Sequence, residues 1–281
     1  MGLVFQAAVI GLIQGLTEFI PVSSSAHLAL APWLFGWEES TLVTSLEFDV
    51  FLHLATLIAL LAFFWTDWWR LIRAGWASVR ERRIGADPDR RLFWLLALAT
   101  IPAALIGFVG EDVITSAFHG DDSLGRLAIA GFLVVGGALL WIADRMGSQK
   151  RDLANVGTGQ AIAIGFSQAA ALLPGISRSG ATIATGLWFG FTREAAARFS
   201  FLLATPITLG AGLYGSRHLL TASYGTDEWL AIAVGFVTAA VSGWIAIRFM
   251  LNWLRHRSLA AFSIERFILA AVVVVAVVAG R

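Results

Sequence analysis

One stretch of this sequence occurs twice, and each copy interrupts an apolar helix in the middle. Gly11, Gln14, Ser23, Ser25, Phe35 and Gly36 recur 154 residues later as Gly165, Gln168, Ser177, Ser179, Phe189 and Gly190, without a gap. The copies read GLIQGLTEFIPVSSSAHLAL and GFSQAAALLPGISRSGATIA: apolar helix, proline, serine cluster, apolar helix. Broken polar backbone is tolerated at membrane depth only where protein or a water-filled cavity surrounds it. Paired interruptions in the two halves of a membrane chain point to a binding site. Function is therefore sought at these two breaks.

The rest of the chain is built for lipid. Hydrophobic residues make up 58% of 281 positions and charged residues 14%, with mean hydropathy +0.76, whereas a soluble domain carries about a quarter charged residues. Apolar runs at 92–110, 127–143, 229–250 and 267–280 approach or reach the roughly 20 residues that cross a bilayer. Trp65, Trp68, Trp69, Trp94, Trp141 and Trp253 fall near run ends, where interfacial belts form. The chain has no cysteine, which excludes disulfides and thiol chemistry. No Lys or Arg precedes Arg70, so the start lacks the positive region of a secretory signal.

Net charge is +1 and says little; its distribution sets a topology. Arginines crowd 66–91 (Arg70, Arg73, Arg80, Arg82, Arg83, Arg90, Arg91), and the connections near 144–152 and 248–257 are also basic. Segments 111–123 and 214–228 are mostly acidic, with Arg217 their one arginine. Basic loops on the cytoplasmic side give six spans near 48–65, 92–110, 126–143, 199–216, 229–250 and 265–280, with both termini outside. Residues 3–35 then begin and end outside, and residues 159–192 begin and end inside. The expected architecture is an all-α integral membrane protein forming a single membrane domain over 1–281. It consists of two inverted-topology repeats, 1–150 and 151–281, each a re-entrant helix–turn–helix plus three transmembrane helices, with the serine-rich tips meeting near the midplane.

The breaks carry chemistry suited to phosphate. Pro21 and Pro174 end their helices, and the serines that follow can cap the resumed half-helices. A helix N-terminus with free amides is a ready anion site. Arg178, between Ser177 and Ser179, is costly at membrane depth without an anionic partner, and its planar fork matches phosphate oxygens. An internal ion pair with Glu18 is the competing use of that charge. Gln14 and Glu18 share a helix face leading to Ser23, Ser24, Ser25 and His27. A carboxylate beside a phosphate site invites a divalent cation, and His27 is the one histidine beside the cluster, a proton carrier near neutral pH.

Other residues receive plainer readings. His53 sits in an apolar span as a packing or hydrogen-bonding residue; His119, His218 and His256 lie in or beside loops. Glu38, Glu39, Asp121 and Asp122 are solvated loop charges, while Glu47 and Asp49 are acids at a helix start. Gly11/Gly15 and Gly186/Gly190 are small-residue pairs for close helix packing, and the C-terminal AAVVVVAVVAG is a plain span.

The stretches QGLTEFIPVSSSAHL, PGISRSGATIATGLWFG and SFLLATPITLGAG, together with FDVFLHLATLIAL and the final span, resemble the bacterial undecaprenyl-diphosphate phosphatases, the bacitracin-resistance proteins. The resemblance covers essentially the whole chain. It implies hydrolysis of undecaprenyl diphosphate to the monophosphate and phosphate, recycling the carrier of cell-wall synthesis in the bacterial inner membrane and conferring bacitracin resistance. By match it implies catalytic roles for Glu18, Ser24, His27 and Arg178, and phosphate binding by Ser177, Arg178, Ser179 and Thr182, to which Ser23 and Ser25 of the first turn are added. Mg²⁺ or Ca²⁺ would rest on Glu18, with Gln14, where many members carry glutamate, as a neutral ligand. Ala26 stands where a glycine is common, which argues against an unusual backbone angle there. Expected partners are the polyprenyl diphosphate lipid and the bilayer, with a homodimer left open and no nucleic acid. Broken inverted repeats also suit a transporter or flippase of a phosphate-bearing lipid or anion without hydrolysis; a site that only binds has no use for a proton carrier such as His27.

Overall fold

Backbone that finds no water in lipid must satisfy its hydrogen bonds internally, and this chain does so with helices. The computed structural model describes residues 2–37, 39–118, 123–219 and 224–280, without the side chains of 111–118 and 217–219. The loop charges Glu38, Asp121 and Asp122, the loop residue His119 and the side chains of Arg217 and His218 therefore lie outside the described residues. The helices are α1 (Leu3–Phe19), α2 (Ser24–Phe35), α3 (Leu46–Phe63), α4 (Trp65–Arg80), α5 (Pro88–Phe118), α6 (Ser123–Met146), α7 (Thr158–Ala169), α8 (Arg178–Trp188), α9 (Arg193–Leu219), α10 (Thr226–His256) and α11 (Ala260–Val278).

Six of these, α3, α5, α6, α9, α10 and α11, are long and apolar enough to cross a membrane, and each covers one of the spans expected from sequence. The protein is an all-α, multi-pass membrane protein. Helix α11 begins at Ala260, not near 265, so Glu265 and Arg266 fall inside the helix instead of at its mouth. Asp144 sets that register: its buried carboxylate pairs with Arg193 at the start of α9 and accepts the Leu259 N–H at 3.0 Å. Ser45 caps α3 by accepting the Phe48 N–H at 3.1 Å, with Glu47 and Asp49 in the first turn as expected.

The basic segment after α3 is more than a connection. Trp65, Trp69, Ile72, Trp76 and Val79 are exposed along one stripe of α4, while Leu71, Gly75 and Ser78 are buried on the other side. Phe93 and Trp94 of α5 pack there, Trp94 donating to Ser78 Oγ at 2.8 Å. The stripe follows helical spacing and escapes notice because its arginines dominate the composition. Tryptophans beside arginines, as with Arg73 over the Trp69 ring at 5.9 Å, suit the membrane interface.

Packing partners exchange between the two copies. Helix α1 lies along α10 and α7 along α5, α3 contacts α10 and α9 contacts α5, and α3 meets α9 as α6 meets α11. This exchange is compatible with two repeats. The equivalent glycines explain the closest approaches: a methyl at Gly11 would overlap the Gly235 carbonyl, and one at Gly165 would overlap that of Ala99. Gly190 departs from its expected packing role, since it lies beyond α8 in a turn with φ 83°.

Candidate active site

Both proline–serine breaks form tight turns, and both strain the same residue. Ser23 and Ser177, equivalent in the repeat, precede α2 and α8 with φ of 78° and 68°. Left-handed backbone at a non-glycine residue is uncommon and clusters at functional sites. Ala26 is helical, so the unusual angle sits three residues earlier. Ser177 caps its own helix, its Oγ accepting the Gly180 N–H at 3.1 Å. Ser23 makes no such cap; its Oγ accepts the Gly175 N–H of the other turn at 3.1 Å. The tips of the two hairpins therefore touch.

They meet again on Glu18, a buried carboxylate on the last turn of α1. Arg178 Nη2 donates to Oε1 at 2.8 Å, and Ser24 Oγ donates to Oε2 at 2.7 Å. Ser24 and Arg178 occupy equivalent repeat positions, so one carboxylate gathers the same site from both copies. Gln14 Nε2 also donates to Oε2, at 3.2 Å. The internal pair weighed as the competing use of Arg178 is thus present, yet Arg178 Nη1 is buried without a hydrogen-bond partner among the described residues. A crevice too narrow to hold a water molecule borders the pair, lined by Phe19, Thr56, Leu57, Leu60 and Thr208.

Burial separates the remaining serines and the threonine. Ser24, Ser25, His27 and Arg178 are half-buried and accessible, whereas Ser23, Ser177, Ser179 and Thr182 are buried. Ser177 and Ser179 pair through their hydroxyls at 3.2 Å. The Thr182 hydroxyl is engaged by the Arg178 carbonyl at 2.8 Å and Ser200 Oγ at 2.7 Å, which turns it into the protein. These buried hydroxyls shape the turns. The first amides of α2 and α8 precede the first intrahelical bonds, His27 N–H to Ser23 O and Ala181 N–H to Ser177 O, and of them the Gly180 amide is taken by Ser177 Oγ.

His27 belongs to the cluster by a different connection from the one its sequence neighbours suggest. Its Nδ1 lies 2.8 Å from the Ser23 carbonyl and its Nε2 3.1 Å from Glu265 Oε1 on α11. A carbonyl can only accept, so Nδ1 donates to Ser23 O, and Nε2 faces the Glu265 carboxylate. Ser24 directs its proton to Glu18, and His27 is not its hydrogen-bond partner.

Glu265 and Arg266 drew no functional reading from the sequence, and His53 only a packing or hydrogen-bonding one, which its 2.8 Å contact from Nδ1 to the Asp49 carbonyl bears out. His53 Nε2 stands 3.8 Å from Glu18 Oε2, beyond hydrogen-bond reach but close enough for charge to be felt. Glu265 holds His27. Arg266, fully buried, donates from Nε to the Pro21 carbonyl at 2.7 Å and from Nη1 to the Ile176 carbonyl at 3.2 Å, one in each turn. The available signal was their charge within apolar spans, where an ionisable residue is functional by default.

The donor set fits a hard cation of low protein coordination. Among the described residues no group of three His, Cys, Asp or Glu side chains could hold a metal. Glu18 nonetheless offers carboxylate oxygen, and the buried Gln14 Oε1 has no hydrogen-bond partner among the described residues. An ion there would draw its other ligands from phosphate and water, as Mg²⁺ and Ca²⁺ do.

Residues 7–272 match the family model described as bacitracin resistance protein BacA. The chain is similar to the undecaprenyl-diphosphatase of Desulforudis audaxviator, 46% identical over 271 residues covering 96% of this chain and 97% of that one. It is also similar to those of Thermomicrobium roseum, 42% identical with 98% of each chain covered, and Caldicellulosiruptor bescii, 44% identical with 96% of each covered. Matched over almost its whole length by the family model and by these relatives, the protein belongs to the bacitracin resistance protein BacA family.

Proposed function

We propose that this protein hydrolyses undecaprenyl diphosphate to undecaprenyl phosphate and phosphate at the Glu18–Ser24–Arg178 cluster, returning the lipid carrier to cell-wall synthesis and so conferring resistance to bacitracin. The observation that carries the reading is the 2.7 Å hydrogen bond from Ser24 Oγ to a carboxylate that Arg178 also grips. A hydroxyl bonded to a base that a third group orients is the arrangement of an activated nucleophile. A site that merely bound a phosphate would not place an acceptor carboxylate beside its own anion.

Ser24 Oγ attacks the terminal phosphorus and its proton passes to Glu18. The phosphoanhydride bond breaks, and His27 gives a proton to the departing undecaprenyl phosphate. Water then attacks the phosphoserine, losing a proton to His27, while Glu18 returns its proton to Ser24 Oγ. The free Nη1 of Arg178, Ser25 and the first-turn amides of α2 and α8 take the charge on the phosphoryl oxygens, where this chemistry gains most. Glu18 and Gln14 Oε1 would hold Mg²⁺ or Ca²⁺, which when bound offsets negative charge on the diphosphate.

Purified protein in detergent should release phosphate from a polyprenyl diphosphate with Mg²⁺ or Ca²⁺ present, and excess chelator should stop it. Full release in chelator would remove the cation from the mechanism. Tight binding of the lipid with no phosphate released under either condition would leave a carrier in place of an enzyme.

Loop charge supports the two hairpins entering from opposite faces, with both termini outside and the first turn open outward. Because the chain is free of cysteine, single cysteines report sidedness cleanly. One at Asp87 should react with an impermeant reagent only from the cytoplasm and one at Tyr224 only from outside; the reverse pattern would overturn the orientation.

A further inference from the structure

Arg266 is the largest fully buried side chain and has no carboxylate partner among the described residues, since neighbouring Glu265 reaches to His27. A buried guanidinium is costly unless its donors are met. Here they are met by backbone carbonyls of Pro21, two residues before the strained Ser23, and Ile176, one residue before the strained Ser177. Its slot is built from two glycines on different helices. A methyl at Gly180 of α8 would overlap Nη2, and one at Gly136 of α6 would crowd both Nη1 and the Ile176 carbonyl. Nη2 is buried and unpaired among the described residues. Because peptide units are planar and trans, holding the Ile176 carbonyl toward Arg266 aims the Ser177 N–H the opposite way. One side chain from the last span thereby fixes the orientation of both turns.

We propose that Arg266 is a positioning residue for phosphoryl transfer: by clamping the carbonyls of both turns it keeps Ser24 and Arg178 together on Glu18. The proposal rests on the site reading above. A hydrogen bond donated to each turn through one rigid fork sets their separation, which neither turn can set alone. An ammonium on a flexible stem keeps the charge but loses the fork. The effect should therefore fall on turnover more than on lipid binding, since the fully buried Arg266 cannot itself touch the lipid.

The test uses the full-length protein in detergent, with thermal unfolding followed in parallel. Arg266→Met should lower kcat for polyprenyl diphosphate hydrolysis about 100-fold, the loss seen when a preorganised donor is removed, with KM changed by less than about threefold. Arg266→Lys should recover roughly a tenth of the parent kcat. Should Arg266→Met fail to fold, Gly136→Ala crowds the guanidinium against the Ile176 carbonyl it holds and should also lower kcat about tenfold at unchanged KM. A folded Arg266→Met or Gly136→Ala protein with kcat within threefold of the parent would overturn the proposal, as would equal losses in the Met and Lys variants. Glu18→Gln, assayed beside them, separates the two readings. If it stays active the site assignment fails, whereas an inactive Glu18→Gln with an active Arg266→Met removes only the positioning role.

Discussion

Glu18→Gln is expected to yield a folded protein whose phosphate release falls on the order of 10³-fold or more. Four groups converge on this carboxylate: Arg178, Ser24 and Gln14 within hydrogen-bond distance, and His53 at 3.8 Å. The amide keeps the shape and one acceptor, but it cannot take the Ser24 proton, cannot anchor a divalent cation, and turns a donor toward groups that also donate. Breaking a fully buried ion pair costs about 3–5 kcal/mol. Arg178 is half-buried and can reach water, so a loss of about 2 kcal/mol is expected here, small enough to leave the fold intact. Folded Glu18→Gln protein with turnover within tenfold of the parent would dismiss the carboxylate as base and ligand alike.

The second large effect separates binding from proton transfer. Arg178→Lys keeps the charge and loses the fork; with Nη2 on Glu18 and Nη1 free for the substrate, the arginine does two tasks that an ammonium does less well. Affinity for the diphosphate and turnover should both fall, turnover by about 10²–10³-fold. His27→Ala should lower turnover by about 10²–10⁴-fold while the lipid still binds, because the ring supplies a proton and contributes little to holding the phosphate. Binding measured directly on both variants decides the point. Equal loss of affinity would make His27 a holder of the Ser23 turn through its Nδ1 contact, and normal turnover in His27→Ala would assign every proton to Glu18.

The helices and their interruptions were legible in the chain itself because they follow from short-range effects. Apolar runs long enough for a bilayer leave the backbone only helical bonding, so the six spans could be read from composition, and proline followed by serine marked both turns through local sterics and capping. Glu18, Ser24 and Arg178 were legible as polar residues with no reason to lie in an apolar hairpin, and the repeat showed that two such hairpins belong together. Tertiary structure decided which atoms face one another. Whether Ser24 directs its proton to Glu18 or His27 depends on the left-handed backbone at Ser23, a dihedral angle that no residue type announces. Thr182 reads as a phosphate ligand in the sequence, and only the packed bundle shows Ser200, on another helix, 2.7 Å from its hydroxyl. Helix α4 was hidden because the arginines spaced along it mask its apolar stripe. Glu265 and Arg266 join the site from the last helix and His53 from α3, since periodicity reports the face a helix buries and not the groups it meets there. Those meetings are set by close helix approaches at glycines and by the Asp144 contacts that fix where α11 begins, and both depend on the whole packed bundle.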